Sequence, residues 1–552
     1  MRRLALACAL LTPLFAFGAE TFVCAAALGA GTGASYANCA AAGANFANIT
    51  PGAGDTIRVC GPDKIRGTLT VTSTANVTVD LGCTGGVAGT ISGANEIATW
   101  TGPDASGFYT STSTYAVPFV LLMDGVALRE GHGTLAADEW AFNSTNGGTH
   151  EVILGTNPTG HVVEVGVRGV GIEFVSSTGA AVTGGRIEGI RHTGTATGNA
   201  GVNFRDSTGS VTGTTFYGVR KAVDGTGTAN FTADSNTVSV AGDGLDCNKN
   251  TSAPTCAFTS NTISDVGYGT YYENTQTSHN ITVDGEGIAC TNCASFRATG
   301  NKVTRANVGI SHRADAAATI KIGKNRIVDT SSTGISVGCL SASGVPAAEI
   351  YSNVVDAVGR GSGYKTATFA VESDISSCAA AASALTIVGN TIVNSSNGFY
   401  FKGANAQTGT VKLLDNIVYE VNPTRVTGSH YFVNWVVTSA THALTITEDY
   451  NDYWQSLGTG FFRWVAGSSA RAWGASGWAS FKTDSSLEAH SIITDPSFAN
   501  MSDEIYTLRR TSPAVRTGVC YLATGCIYPD HRGYRARVPP NIGAFQQGLG
   551  SP

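Results

Sequence analysis

Charged residues are scarce in this chain of 552 residues, where they make up 13 % of the sequence, about half of their usual share. Proline (15 residues) and methionine (3 residues) are also few. So little charge argues against disorder and against long solvated or coiled-coil helices. The formal net charge is −6 and no run of clustered Lys and Arg is visible, so we expect no nucleic-acid partner.

Long hydrophobic runs are missing from the body of the chain. No stretch after its start has the roughly 18 consecutive apolar residues of a membrane-spanning helix, so we expect no transmembrane segment. At the start, Arg2 and Arg3 precede an apolar run that ends at Phe17, and the small residues Gly18 and Ala19 follow. This order is typical of a secretory signal peptide over residues 1–19. We therefore expect a secreted protein, extracellular or periplasmic, and a monomer.

Glycine is abundant (69 residues), and a short segment centred on asparagine recurs along the chain. The segments share a small or polar residue, Asn, one further residue and an apolar residue. They are centred on Asn236, Asn261, Asn301, Asn325, Asn353, Asn390 and Asn416. Their spacing indicates a base period of about two dozen residues with insertions. At such a turn asparagine tolerates the left-handed backbone, and its amide can bond to the next repeat, so we expect a ladder of stacked asparagines.

Each period also contains Gly followed by apolar alternation, as at Gly244, Gly287, Gly309 and Gly334. Two or three strands of four to six residues per period, with no room for a helix, describe one coil of a parallel β-helix. The sequence therefore predicts an all-β chain that folds as a right-handed parallel β-helix.

These repeats resemble the coils of the pectate-lyase-like superfamily of right-handed parallel β-helix proteins, over roughly residues 55–545. Segments near the end, Asp495–Phe498 and Asn541–Phe545 among them, resemble the closing segment of many exported bacterial β-helix proteins. The resemblance implies an architecture and leaves the chemistry open, because one fold hosts many functions.

Aromatic residues interrupt the repeat between about residues 96 and 165, where Trp100, Tyr109 and Trp140 occur. The segment resembles an insertion found in several carbohydrate-active β-helix enzymes. We therefore expect a signal peptide (1–19), an N-terminal cap with the first coils (20–95), an inserted β segment (96–165), coils that carry a groove (166–455), and C-terminal coils with a cap (456–552).

Twelve cysteines follow the predicted signal peptide, and an even number in an exported chain argues for disulfides. We expect the pairs Cys24–Cys39, Cys60–Cys83, Cys339–Cys378 and Cys520–Cys526. For the remaining four residues two arrangements stay open. One joins Cys247 to Cys290 and leaves Cys256 with Cys293, and the other joins Cys247 to Cys256.

The interior of a β-helix is packed, so a site must lie on outward-facing strand positions or on neighbouring loops. Period-two alternation sends a column of polar residues outward, and long insertions add tyrosines. The polar, aromatic-edged groove that results suits an extended polysaccharide. The substrate-binding residues we expect are Arg205, Lys249, Tyr271, Tyr272, Glu372, Tyr400 and Lys402.

We expect a polysaccharide lyase that cleaves an acidic polysaccharide by β-elimination, because the presumed groove holds several cations in an otherwise acidic chain. Such enzymes abstract a proton next to a uronate carboxylate while a cation or metal neutralises that carboxylate. The catalytic residues we expect are Asp246, Glu286, Arg313 and His312, with Asp284 and Glu286 as calcium ligands.

Two other functions stay open. A glycoside hydrolase needs two carboxylates, for which Asp243 or Asp246 opposite Glu286 are candidates. Asp246 and Cys247 resemble part of the Asp-Asp-Cys motif of polygalacturonases, but Gly-His-Gly occurs only at residues 131–133, far from the coil expected, so the site of that family is not carried over. The third alternative is a non-catalytic glycan-binding or adhesive surface protein, for which charge-poor Gly- and Thr-rich coils are sufficient.

Overall fold

The fold is that of a computed structural model. It describes residues 18–116, 119–131, 134–142, 149–191, 199–248, 254–267, 285–314, 316–339, 344–356, 369–378, 383–403, 408–421, 430–437, 443–456, 461–466, 469–499, 506–519, 532 and 540–544. The predicted signal peptide therefore lies almost entirely outside the described residues.

Three parallel sheets wind around one core, and each complete coil contributes one strand to each sheet. In the coils around Thr215–Thr226 and Thr237–Asn248 a single strand of twelve residues serves both the second and the third sheet. Neighbouring coils are joined by parallel ladders, as where Leu245 pairs with Ile288 and Ile288 with Ile310. The predicted parallel β-helix is confirmed.

The first sheet has fourteen strands: Glu20–Cys24, Ala40–Ala41, Thr56–Val59, Thr78–Asp80, Ala180–Thr183, Thr208–Thr212, Asn230–Asp234, Thr255–Thr259, Ser295–Thr299, Ala317–Gly323, Val345–Tyr351, Ser383–Val388, Thr408–Leu414 and Ala443–Asp449. Besides the two shared strands, the second sheet contains Lys64–Arg66, Thr90–Ser92, Arg186–Ile190, Thr262–Val266, Lys302–Ala306, Arg326–Val328, Val354–Asp356, Thr391–Val393, Ile417–Tyr419 and Asp452–Trp454. Besides the same two, the third contains Leu69–Thr72, Val170–Val175, Ala200–Arg205, Glu286–Thr291, Val308–Ala314, Thr333–Cys339, Phe369–Asp374, Phe399–Gly403, Tyr431–Val437, Phe461–Ala466 and Ser469–Trp473.

Apolar side chains from all three sheets fill the interior in stacks. Ile288, Ile310 and Ile335 follow one another in the third sheet, and all three are fully buried. Burying such a side chain contributes about 1.5–3 kcal/mol. Because every coil repeats the same inward positions, the core runs continuously along the helix axis.

The turn between the first and second sheets carries the predicted asparagine ladder. Each side-chain amide donates a hydrogen bond to the amide oxygen of the next asparagine, at 2.9–3.1 Å, and its members have at most 1 % of their surface exposed. The ladder consists of Asn236, Asn261, Asn301, Asn325, Asn353, Asn390, Asn416 and Asn451. The same oxygens also accept the backbone N–H of the preceding asparagine.

The left-handed conformation that we assigned to these asparagines belongs instead to the residue before each of them, and that part of the prediction was wrong. Ser235, Ser260 and Lys324 have φ of 56°, 55° and 57°, and Gly300 and Gly389 occupy the same position. One left-handed residue at the turn redirects the chain from the first sheet to the second. The asparagine that follows it then points its amide along the ladder.

An inserted segment between Ala94 and Gly166 forms short strands of its own, most of them antiparallel. Phe119, Val120 and Leu122 pack against Val240 of the coils, and Ala127 N–H donates to the Tyr217 hydroxyl at 2.9 Å. Its strands are Ala94–Glu96, Trp100–Thr101, Tyr109–Ser111, Tyr115–Ala116, Leu121–Met123, Val126–Ala127, Arg129–Glu130, Glu139–Phe142, Thr149–His150, Val152–Leu154 and Val163–Gly166.

Helical structure is sparse. One α-helix, Trp478–Ser485, follows the last coils and buries Phe481. Short 3₁₀ turns cover Tyr36–Asn38, Ala44–Phe46 and Ala475–Gly477. Within the described ranges, no helix is both long and apolar enough to cross a membrane.

The described residues contain five disulfides: Cys24–Cys39, Cys60–Cys83, Cys247–Cys256, Cys290–Cys293 and Cys339–Cys378. Three of these are pairs that the sequence predicts directly. Of the two arrangements left open, the one that joins Cys247 to Cys256 is present, although Cys247 and Cys290 are register partners on adjacent strands. Cys520 and Cys526 lie outside the described residues.

Candidate functional site

One face of the third sheet carries a continuous row of register-paired side chains that point away from the core, which we call the outer column. Successive members lie on successive coils, about 4.8 Å apart. Its members are Thr70, Glu173, Asn203, Asp224, Asp246, Ala289, Ser311, Ser336, Glu372, Tyr400, Asn434 and Arg463.

Two aspartates of the outer column share one ammonium group. Lys221 Nζ lies 3.2 Å from Asp224 Oδ1 and 2.5 Å from Asp246 Oδ2. Asp224 and Asp246 are direct partners on adjacent strands. Solvent reaches 14 % of the Lys221 side chain and 11 % of the Asp246 side chain, but 1 % of that of Asp224. The cluster therefore opens outward through Lys221 and Asp246.

Burial and charge give these groups different proton affinities. Burial raises the pKa of Asp224 to about 6, a rise that the Asp246 charge increases and the Lys221 charge limits. Burial by itself lowers the pKa of Lys221, but the neighbouring carboxylates outweigh it and raise that pKa overall. Lys221 thus stays positively charged near neutral pH, whereas Asp224 exchanges its proton there.

A second buried ion pair, between Arg220 and Asp243, lies beside this cluster on the same two strands. The Arg220 guanidinium donates to Asp243 Oδ2, and Asp243 Oδ1 accepts the Gly285 N–H at 3.0 Å. Asp243 thereby ties its own coil to the following one. Its carboxylate is already engaged by two partners within the protein, so we assign it a positioning role.

A second charged cluster lies four coils further along the outer column. Asp374 pairs with Lys402 at 2.8 Å and Ser376 donates two hydrogen bonds to it, so its pKa falls despite partial burial. Burial and the charge of Asp374 raise the pKa of Glu372. Tyr400 stacks on Phe369 with 4.5 Å between ring centroids. An aromatic platform thus adjoins a carboxyl pair.

Small side chains form the floor between the two clusters. The outer column there consists of Ala289, Ser311 and Ser336. Glu286 borders this floor and accepts a hydrogen bond from the Ser311 hydroxyl at 2.6 Å. Asp246 and Glu372 lie four coil steps apart, about 19 Å, on the face where the sequence predicts a groove, and Ala289 and Ser311 between them are buried.

His312, predicted as a catalytic residue, lies in the interior. None of its surface is exposed, its ring is 5.4 Å from that of Phe296, and burial lowers its pKa to about 4. Its neighbour Arg313 is exposed, as strand alternation requires. Arg205 is half-exposed and lies 3.3 Å from Glu173.

Several predicted residues fall outside the described part of the chain. They are Lys249, Tyr271, Tyr272 and Asp284. Calcium binding by Asp284 and Glu286 stays a prediction. Among the described residues, the one grouping with metal-ligand spacing is Cys247, Cys290 and Cys293, and all three are disulfide-bonded.

Sequence reasoning missed Asp224 and Lys221, because their coil lacks the asparagine that marks the others. Thr214 occupies the ladder position in that coil, and its N–H donates to Asn236 Oδ1 at 2.9 Å. Thr214 precedes Asn236 by 22 residues, and Asp224 precedes Asp246 by the same 22 residues. The register was thus readable from the sequence once threonine was allowed at the ladder position.

Comparison with known proteins supports the fold. No family model matches the chain, and no match is found among curated proteins. The solved complex of XylC with xylose is 11 % identical, with a TM-score of 0.53 over 96 % of this chain and 98 % of that one. A glycoside hydrolase (10 % identity, 78 % and 96 % covered, TM-score 0.43) and pectate lyase Pel9A (13 %, 96 % and 97 %, 0.25) also match. At 11 % identity, the match to XylC shows a shared β-helix fold and nothing finer.

Proposed function

We propose that this protein is an exported glycoside hydrolase that binds a polysaccharide along the outer column and cleaves it at Asp224 and Asp246. The observation that carries the proposal is the pair of carboxylates held on one Lys221 ammonium. A carboxyl pair that flanks the scissile bond is the catalytic requirement of most glycoside hydrolases.

The separation of the two carboxylates favours retention of configuration. Because each lies close to the same nitrogen, their nearest oxygens are no farther apart than the two distances to Lys221 combined. This is below the roughly 6.5–9.5 Å of inverting enzymes and compatible with the 5–5.5 Å of retaining enzymes. Inversion needs room for a water molecule between sugar and base, which so close a pair does not provide.

The environments of the two groups assign their roles. Asp224, with its pKa raised to about 6, holds a proton in mildly acidic solution. In the proposed mechanism it donates this proton to the departing sugar oxygen, which approaches from the side where Lys221 and Asp246 open the cluster to solvent. Asp246, which is more exposed, attacks the anomeric carbon and forms a glycosyl ester. Asp224 then accepts a proton from water, which hydrolyses the ester and returns both carboxyl groups to their starting states.

The rest of the groove suits a sugar chain. Tyr400 on Phe369 offers an aromatic platform. A protein of the same fold has been solved with xylose, so the fold accommodates a sugar. Five disulfides suit an oxidising compartment outside the cytoplasm.

β-Elimination is the alternative, and the exposure of Arg313 favours it. Arg313 projects from the strand position next to the groove floor, whereas the second candidate base, His312, is enclosed. A lyase would use Arg313 as the base and yield an unsaturated sugar, so products separate the two reactions.

The test compares wild-type protein with Asp224→Asn and Asp246→Asn on a panel of neutral and uronate polysaccharides. We expect new reducing ends without the ultraviolet absorbance of unsaturated sugars, and a loss of at least 10²-fold in kcat for either variant. With wild type, kcat/KM should fall as the pH rises through about 6, because Asp224 then loses the proton that it donates.

Asp206→Asn is the matched control, since Asp206 is exposed and its carboxylate caps a turn in the preceding coil. It should keep wild-type kcat. If wild-type protein forms unsaturated products and Arg313→Gln does not, the reaction is elimination and the hydrolase proposal is wrong. Loss of either activity on adding a chelator would support the calcium prediction. Full activity in both aspartate variants would exclude the proposed pair.

A further inference from the structure

A cleft of about 630 Å³ lies at the N-terminal end of the third sheet, away from the two aspartates. Its lining includes Asn45 and Phe46 of the N-terminal cap, Thr68 just before the first third-sheet strand, Thr70 within that strand, and Arg168. Amide, hydroxyl and guanidinium groups thus converge on one space.

Arg168 enters this cleft with unused hydrogen-bonding capacity. Its Nη1 donates to Asn95 Oδ1 at 2.9 Å, and in the described part of the chain it forms no ion pair. The cation next to it, Arg66, is by contrast paired with Glu164 at 2.8 Å. Burial and the charge of Arg66 lower the pKa of Arg168. A half-buried cation without an acidic partner is stabilised by an incoming anion.

The two N-terminal cap residues that line the cleft have a left-handed backbone. Asn45 and Phe46 have φ of 51° and 56°, and for a bulky residue such as Phe46 this is rare. The surrounding contacts maintain this geometry, because the Phe46 ring is buried in the core.

The cleft adjoins the beginning of the outer column. Thr70 pairs with Glu173, Glu173 with Asn203, and Asn203 with Asp224. Three coil steps separate Thr70 from Asp224, about 14 Å. An oligosaccharide that lies across the two aspartates can therefore reach Arg168 with a neighbouring sugar.

We propose that the cleft binds an anionic group of the sugar chain, a carboxylate or a sulfate, through the Arg168 guanidinium and the polar groups of Asn45 and Thr70. The substrate is then an acidic polysaccharide, recognised at a subsite about three coils from the point of cleavage. This inference rests on the proposed function, since it places the sugar chain along the same column.

Calorimetry with the slow Asp246→Asn protein as background tests the proposal. The probes are hexagalacturonate (carboxylate), a sulfated galactan hexasaccharide (sulfate) and xylohexaose (neutral). Adding Arg168→Gln should weaken binding of at least one anionic probe roughly ten- to hundredfold, the usual worth of a charge-assisted bond, and leave xylohexaose unchanged. Arg168→Lys should lose less, because it keeps the charge.

Arg471→Gln, at a largely exposed arginine of the C-terminal region, removes the same charge elsewhere and is the matched control. Melting curves establish that each variant is folded. The anionic probe that responds identifies the group. Equal loss for neutral and acidic probes, or no loss for either acidic probe, overturns the proposal. Cleavage of the probes at the wild-type rate by Asp246→Asn would contradict the proposed hydrolase mechanism. The ratio of Kd values between Arg168→Gln and its control reports on the cleft whether or not that mechanism holds.

Discussion

Asp415 keeps an almost fully buried carboxyl group in the turn before Asn416. Its exposed fraction is 4 %, its Oδ1 accepts the Val519 N–H at 2.8 Å, and burial raises its pKa to about 8. In the unfolded chain the same group titrates near 3.9. The folded state therefore holds a proton that the unfolded state releases above that pH, so this group makes the protein less stable as the pH rises from about 4 to 8.

We expect Asp415→Asn to remove this pH dependence. The amide oxygen can still accept the Val519 N–H, and asparagine tolerates the φ of 56° at this position. The free energy of unfolding should rise by about 1–3 kcal/mol at pH 8 and change little at pH 4. Urea titrations at both pH values measure this. Asp206→Asn, with the same backbone conformation at an exposed site, should be neutral at both, and an equal gain at both pH values would contradict the explanation.

Single residues also mark where sequence reasoning about the site was sufficient and where it was not. Alternation within a strand placed Asp246, Glu372 and Tyr400 on one outward column. The proton affinities of Asp224 and Lys221 could not be read in the same way, because they depend on burial and on neighbours from another coil.

At the scale of one element, the asparagine ladder joins the coils through side chains as well as backbone. Asn325 donates to Asn353 Oδ1 and to the carbonyl of Ala298, at 3.0 and 2.8 Å. It also accepts from both the backbone and the side chain of Asn301. All these groups are buried, so each one left without a partner costs about 1–3 kcal/mol.

We therefore expect Asn325→Ala to lower the free energy of unfolding by roughly 2–5 kcal/mol, measured by urea denaturation. Asn157→Ala provides the control, because Asn157 lies in an exposed turn and should cost less than about 1 kcal/mol. Similar losses at the two positions would mean that the ladder adds nothing beyond an ordinary turn contact.

The repeat predicted this element well because its physical requirement is local. Most coils place one amide side chain at the same turn, and this amide leaves a trace in the sequence, whereas the left-handed residue before it varies in type. The long strands Thr215–Thr226 and Thr237–Asn248 left no such trace, since whether a strand bends into a third sheet depends on packing with the coils beside it.

At the scale of the whole molecule, the groove is longer than one catalytic centre requires. Tyr400 lies six coil steps from Asp224 along the outer column, about 29 Å. A chain that spans this distance gains binding energy from the far platform, whereas a short oligosaccharide does not reach it. If the proposed function holds, this arrangement favours cleavage within long chains.

We expect Tyr400→Ala to raise KM for polymeric substrate about tenfold, the loss of one stacking contact, and to leave kinetics on a trisaccharide unchanged. Viscometry combined with initial rates on both substrates measures this. Tyr109→Ala, in the inserted segment, controls for loss of an aromatic side chain. Equal effects of Tyr400→Ala on the trisaccharide and the polymer would show that Tyr400 acts at the catalytic centre.

The direction of the last strand has a consequence for how these molecules behave at high concentration. Ser469–Trp473 runs antiparallel to Phe461–Ala466 and ends the third sheet, after a long series of parallel strands. A parallel edge left bare would offer a template on which a second molecule adds its first coil, and so on into a fibre. Among the described residues, the reversed strand Ser469–Trp473 covers the edge of the third sheet with the opposite polarity, which disfavours the addition of a parallel strand from a second molecule at that edge.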